Sequence, residues 1–316
     1  MKIVRIDESE YQQEEVYFHF LFNKLIYLNT VRSDSEIFFY KIIDDKNKKR
    51  FIFYFLKNLN QDSADLVLPY SSPYWILESI RKEEQPERYV DGVSLIIDLL
   101  KKKFNTVTIT LPPLMYDERH IALVLKAFID KGFKVNCLDY NHYLDIACFD
   151  VLDYNEKLDS NSRRNLKISH NSGLVFKKLT KNEYSDAYQV IKKNRKSKNY
   201  PLKVEQEQMV NNLINFKGDV FAVYHDSVMI ASAMIFNINE RASQLIYWGD
   251  IPESYRYKPM NFLAFELLKY YKNSAIDLLD LGPSSDKGVI NNGLSNFKES
   301  VGAKSSLKFT LNIKLN

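Results

Sequence analysis

One side chain suited to assist an acyl transfer is Lys298, in the segment Gly293-Leu-Ser-Asn-Phe297-Lys298-Glu-Ser-Val-Gly302. When an amine attacks an ester or thioester, negative charge gathers on one oxygen. A fixed cation beside that oxygen is usually the largest single aid an enzyme can offer. A helix drawn from Asn291 to Val301 puts Asn291, Ser295 and Lys298 on one face and leaves Leu294, Phe297 and Val301 as the buried stripe. By spacing alone, Lys298 also reads as a surface lysine beside a core phenylalanine.

Three further groups could bind an anion or a substrate. Arg163, Arg164, Lys167 and His170 make one side of a polar helix basic, and guanidinium groups grip phosphate through paired hydrogen bonds. Lys192 to Lys198, with Arg195 in its middle, holds five basic residues in seven. Both also read as solvated surfaces, the second as a helix C-terminus whose dipole favours cations. Tyr247 and Trp248 end a strand, where aromatic rings serve a core or a ligand. Glycine is scarce, nine residues in 316, yet Gly282, Gly288, Gly293 and Gly302 fall within 21 positions. The loop from Gly282 to Gly293 is therefore where the chain bends tightly or meets a ligand, and Gly282, Ser284 and Asn292 are expected substrate contacts.

Other chemistries have no support. The sequence contains no G-x-S-x-G, H-E-x-x-H, G-x-x-x-x-G-K-[ST] or G-x-G-x-x-G. The five histidines (19, 120, 142, 170 and 225) form no i, i+4 pair, and Cys137 and Cys148 read as small buried hydrophobes, so no metal site is expected. A general base need not be a side chain, although Asp280 could serve.

Composition is that of a globular protein, 45% hydrophobic and 27% charged, and it is rich in Phe (20) and Tyr (21). The net charge of +4 conceals an asymmetry. Residues 1–150 carry 20 basic and 23 acidic side chains, whereas 151–316 carry 24 and 17. The basic half suits an anionic ligand such as a nucleotide, a phosphopantetheine or an RNA end, or simply a lysine-rich surface. DNA is not expected as a partner. Met1 to Glu15 has no apolar stretch typical of a signal peptide, and no run approaches a transmembrane segment, so a cytoplasmic location is expected.

The elements that must position these residues alternate between strand and helix. Strands are expected at 37–43 and 50–56, joined by the turn Asp44-Asp45-Lys46-Asn47. A helix at 92–103, a strand at 106–111, a helix at 117–131 and strands at 133–138 and 143–147 follow. A polar connector helix is expected from Asn155 to Asn171. Beyond it lie a strand (174–179), helices (182–196 and 204–216), strands (220–224, 228–237 and 242–248), a helix (259–272), a strand (276–281), a helix (291–301) and a strand (306–313). Helix, strand, helix and strand recur in the two halves with an offset of about 170 residues, the pattern of a duplicated domain. The expected domains are 1–154 and 155–316, the second including the connector helix.

This order is similar to that of the GNAT acyltransferase superfamily, and two such domains in tandem resemble the FemAB-like aminoacyltransferases of peptidoglycan bridges. Three stretches carry the resemblance: Asn161 to His170 with Gly173-Leu-Val-Phe, Lys193 to Pro201, and Asp280-Leu-Gly-Pro-Ser with the Phe297-Lys298-x-x-x-Gly302 helix. The resemblance implies an α/β fold of two GNAT-like domains, each a mixed twisted sheet flanked by helices. It implies acyl or aminoacyl transfer to an amine of an anionic small molecule or cell-envelope precursor. Lys298, beside Phe297 as an expected substrate contact, would stabilise the tetrahedral intermediate in an interdomain cleft floored by the loop after Leu281 and the helix carrying Lys298, and Arg195 would contact phosphate. The donor would be an aminoacyl-tRNA or an acyl-CoA.

One departure bears on the donor. Acetyl-CoA-binding GNAT domains carry a glycine-rich turn before a helix N-terminus, where amides meet the pyrophosphate. The corresponding Tyr255-Arg-Tyr-Lys-Pro259-Met-Asn-Phe contains no glycine. Two alternatives stand beside the FemAB-like reading: a CoA-dependent N-acyltransferase acting on a sugar amine or lipid precursor, and a binding module that keeps the fold without turnover.

Overall fold

The computed structural model describes residues 1–17, 20–30, 35–58, 63–65, 74–75, 83 and 85–315. Internal contacts divide the chain into two compact units. Unit 1 is Met1–Tyr140 with Ser285–Val289 and Ser306–Asn316, and unit 2 is Asn141–Ser284 with Ile290–Ser305.

The first part of the chain runs β1 (Lys2–Ile6), α1 (Glu8–Gln13), α2 (Leu25–Leu28), β2 (Ser35–Ile43), β3 (Lys49–Asn58), β4 (Ser63–Asp65), β5 (Tyr74–Trp75), α3 (Gln85–Leu100), β6 (Thr106–Thr110), α4 (Glu118–Asp130) and β7 (Lys134–Asp145). The abundant aromatic residues find their use in the β2–β3 hairpin. Phe38 opposes Phe55 and Tyr40 opposes Phe53, with ring centroids 4.9 and 5.4 Å apart. Such cross-strand pairs are what stabilise an antiparallel ladder. One face (Tyr40, Ile42, Phe51, Phe53 and Phe55) packs on apolar residues of α3 and α4. The other (Phe39, Ile52, Tyr54 and Leu56) packs on Ile6, Tyr11, Leu25 and Leu28. Burial on both faces explains why these strands read as continuous apolar runs rather than alternating ones.

Two expectations need adjustment here. The helix expected from Gly92 begins at Gln85, because Pro86 fits a first turn and Tyr89 joins the buried face. The two strands expected at 133–138 and 143–147 are one strand, β7. Its polar middle is paired rather than looped out: Asp139 accepts from the Ser285 hydroxyl at 2.7 Å in unit 1, and Asn141 donates to Asp280 at 2.8 Å in unit 2. Cys148 is exposed in the turn beyond β7 and Cys137 is half-buried, so neither is the buried hydrophobe expected.

The chain continues through α5 (Tyr154–Lys157), α6 (Ser160–His170), β8 (Val175–Lys178), α7 (Tyr184–Ser197), α8 (Gln206–Asn215), β9 (Asp219–His225), β10 (Val228–Asn237), β11 (Ala242–Asp250), α9 (Pro259–Lys272), β12 (Leu278–Pro283), β13 (Ser285–Asp286), β14 (Val289–Ile290), α10 (Asn292–Ser300) and β15 (Lys304–Lys314). The expected single connector helix is two helices. Leu158 is extended at the break, and Asp159 caps α6 by accepting from the Ser162 amide at 2.8 Å.

In unit 1 the strand order is β1-β2-β3-β4-β6-β15-β7, and in unit 2 it is β7-β12-β11-β10-β9-β8. The units therefore differ from the expected division at 154/155 in three respects. Asn141–Asp145 pairs with β12 and counts with unit 2, Ser285–Val289 counts with unit 1, and Thr310 in β15 opposes Thr110 in β6 and counts with unit 1. Each unit's sheet thus takes a strand from the other half of the sequence. The core of unit 2 gathers Leu144, Phe221, Ala233, Leu245, Leu263 and Leu279 around α9.

Candidate active site

Within unit 2, β11 and β12 run parallel but pair only over Ala242–Gln244 and Leu278–Asp280. Past those residues β12 keeps its antiparallel partner β7, where Gly282 opposes His142 after a register shift at Asp280. β11 meanwhile stays with β10 as far as Asp250. The C-terminal ends of the two parallel strands thus part, leaving Leu245–Asp250 on one side and Leu281–Ser284 on the other. Crevices outside the carboxyl ends of parallel strands are common ligand sites in α/β proteins.

Helix α7 brings its last turns to the β11 side. Asn194 donates to the Asp250 carbonyl at 2.7 Å, and the close approach requires Gly249, since a Cβ there would lie 2.5 Å from the Asn194 amide carbon. Burial raises the Asp250 carboxyl to about 6 despite the neighbouring lysines 198 and 258. The Arg195 guanidinium lies over the Tyr247 ring at 5.2 Å and near that of Tyr200 at 5.9 Å. Its Nε is buried and meets no acceptor among the described residues. Tyr200 in turn accepts from Asn291 at 3.0 Å, and Asn291 caps α10 by accepting from the Leu294 amide.

Lys298 comes from α10 and is 2% exposed. Its Nζ donates to the carbonyl oxygens of Gly282 at 2.8 Å and Pro283 at 3.1 Å. An ammonium has three donors, so one N–H has no hydrogen-bond partner among the described residues. Burial lowers its pKa to about 8, with the Asp280 carboxylate opposing the fall and the Arg195 charge adding to it. Asp280 is itself buried and accepts from the Gly282 amide, Asn141 and Gln244 at 2.8, 2.8 and 3.0 Å.

The face of α10 differs from the expected one. Ser295, Lys298 and Val301 are buried, whereas Leu294 and Phe297 are half-buried and Asn291 is exposed. The polar side turns inward because the β12 carbonyls and His142 supply its partners. Phe297 packs on Trp248 across a centroid distance of 5.5 Å. Ser284 is fully buried and bonds to His142, and Asn292 is exposed in the first turn of α10.

Structure thus brings together Lys298, Gly282, Arg195, Tyr247, Ser284 and Phe297. It does not join Arg163 and Arg164 to them. Both arginines are exposed on α6, with Lys167 and His170. The opposite side of α6 packs on α9, and the His170 ring lies 5.1 Å from that of Phe265. Sequence reasoning missed Tyr200, Asn194, Asp250 and His142, whose partners are far away along the chain.

The turn before α9 bears on the donor. Lys258 takes the left-handed conformation at φ 54° that glycine would favour. Its carbonyl already accepts from the Asn261 and Phe262 amides, and Pro259 has no N–H. This helix N-terminus therefore keeps few donors for a pyrophosphate.

No helix among the described residues is long and apolar enough to cross a membrane. No protein-family model and no curated protein sequence matches the chain. Solved structures do. The crystal structure of FemX matches with a TM-score of 0.73 at 11% identity, covering 99% of this chain and 97% of that one. L-PGS from Bacillus licheniformis matches at 0.58 and 12%, covering 98% and 93%. A tandem GNAT protein from the clavulanic acid biosynthesis pathway matches at 0.53 and 11%, covering 100% and 98%. The chain has the α/β fold of two tandem GNAT-like domains, similar in fold to FemX and to the tandem GNAT protein.

Proposed function

We propose that this chain transfers an acyl or aminoacyl group from an activated ester or thioester to an amine of an anionic small molecule or cell-envelope precursor. The observation that carries the reading is the buried Lys298 ammonium, with two N–H groups held by β12 carbonyls and a third without a hydrogen-bond partner among the described residues. The ammonium is fixed before substrate arrives and can donate to the oxygen on which charge develops, without reorganisation in the transition state. Arg195, over Tyr247 and with an Nε that meets no acceptor among the described residues, supplies a cation for the substrate's anionic group.

FemX and L-PGS, as neighbours in fold, favour cell-envelope or lipid acceptors and an aminoacyl-tRNA donor. The occupied amides in the first turn of α9 weigh against acyl-CoA. A thermal-shift screen with alanyl-tRNA, acetyl-CoA and UDP-linked sugars, followed by a transfer assay with each stabilising donor, tests the reading. Stabilisation by charged tRNA with amide product supports it. Stabilisation by acetyl-CoA alone overturns the tRNA donor, and binding without turnover identifies a module that has kept only the fold.

A further inference from the structure

His142 is fully buried on β7, and both ring nitrogens face hydrogen-bonding partners. Nδ1 lies 2.9 Å from the Ser284 hydroxyl. Nε2 lies 3.2 Å from Oε1 of Glu299 and 3.5 Å from the Ser295 hydroxyl, which donates to the same carboxylate oxygen at 3.1 Å. Of these three partners Glu299 reaches water, its side chain 48% exposed. An ionised carboxylate only accepts, which assigns the ring hydrogen to Nε2 and leaves Nδ1 to accept from Ser284.

Ser284 directly follows the two carbonyls that hold Lys298. We propose that His142, oriented by Glu299, takes the proton of the acceptor amine through the hydroxyl of Ser284. The proposal rests on the acyl-transfer reading above. An amine that enters as an ammonium loses two protons as its nitrogen bonds to the acyl carbon and the ester C–O bond breaks. One proton goes to the leaving oxygen. The other passes to Ser284, whose own proton moves to Nδ1, and the resulting imidazolium is paired with Glu299. After the product leaves, the imidazolium returns that proton to solvent. A hydrogen-bonded base with an acid behind it is the arrangement by which other transferases and hydrolases activate a nucleophile.

Among the described residues, the charged groups that act on the ring include Glu299 and Lys298, both from α10. Burial lowers the imidazole pKa, the Glu299 hydrogen bond opposes that, and the Lys298 charge adds to the lowering. The net lowering favours the neutral ring, whose Nδ1 can accept from Ser284.

The test measures amide formation from alanyl-tRNA or acetyl-CoA onto a UDP-linked peptidoglycan precursor, for the unaltered chain and for His142→Gln, Glu299→Gln and Glu299→Asp. Rate should fall about 10²–10⁴-fold in His142→Gln and recover in part with hydroxylamine, an acceptor already neutral at pH 7. In Glu299→Gln, which alters a half-exposed side chain, the acid limb of the pH–rate profile should move to lower pH, and Glu299→Asp should restore it. A merely structural contact would move neither. If the unaltered chain forms amide while His142→Gln matches its rate, or Glu299→Gln leaves the acid limb in place, the relay alone is overturned. If the unaltered chain forms no amide from either donor, the functional reading fails and the relay falls with it.

Discussion

The Lys298 ammonium donates to the Gly282 carbonyl at 2.8 Å, and Gly282 presents that carbonyl from a left-handed backbone at φ 74°. The position of the cation and the conformation of the strand end are therefore linked. Nothing lies within 4 Å of where a Gly282 Cβ would sit, so the demand for glycine comes from the backbone rather than from crowding.

Replacing Gly282 with alanine should cost about 1–2 kcal/mol of stability, the price of left-handed backbone in an L-residue. Transfer rate should fall as well, because the relaxing carbonyl releases Lys298. Denaturant unfolding and the transfer assay read the two effects separately. Unchanged stability would show that the conformation is tolerated here.

Lys298→Met keeps most of the buried volume and removes the charge. Transfer should drop about 10²–10³-fold, the scale of losing one oxyanion donor. Thermal stability should change far less, since removing a buried cation offsets two lost hydrogen bonds. A rate within threefold of the unaltered chain would exclude an oxyanion role.

Transfer that needs the Lys298 ammonium should fall as pH rises through about 8. Stability should move the other way. The group's pKa is about 8 when folded against 10.5 unfolded, so the unfolded chain binds more protons between those values and stability from this group rises across that window. Rate and unfolding measured from pH 7 to 10 check both signs, and Lys298→Met should abolish both trends.

Arg195→Gln should raise the KM for an anionic acceptor about 10–100-fold, as expected for lost charge-assisted hydrogen bonds. Its effect on kcat should be smaller. Arg195→Lys should not restore binding, because an ammonium cannot reproduce a planar guanidinium lying over Tyr247. Isothermal titration with a UDP-linked sugar, at two salt concentrations, separates this from a general loss of positive charge.

Most of the fold was legible in the residues. Strand β10 and helix α9 fall at 228–237 and 259–272, as their periodicity predicts, because each has one uninterrupted pattern between clear boundary residues. The N-terminal β1, α1 and α2 were not foreseen, since their short polar-rich segments matter only once the second face of β2 and β3 needs a cover. Lys298, Gly282 and Arg195 were visible through the order of their motifs. His142 was not. Among scattered histidines nothing marks it until the β7–β12 pairing sets it beside residues about 140 and 157 positions away. The inward turn of Lys298 was equally hidden, because helical spacing treats a lysine as solvent-seeking and knows nothing of carbonyls waiting opposite.

The pairing of Thr110 with Thr310 has a consequence for synthesis. At roughly 5–20 residues per second, a ribosome reaches the second partner about 10–40 s after the first. Throughout that interval one edge of β6 lacks the strand that later covers it. Open edges of this kind recruit wrong partners, so the nascent N-terminal unit should depend on holding chaperones more than its well-packed aromatic hairpin would suggest.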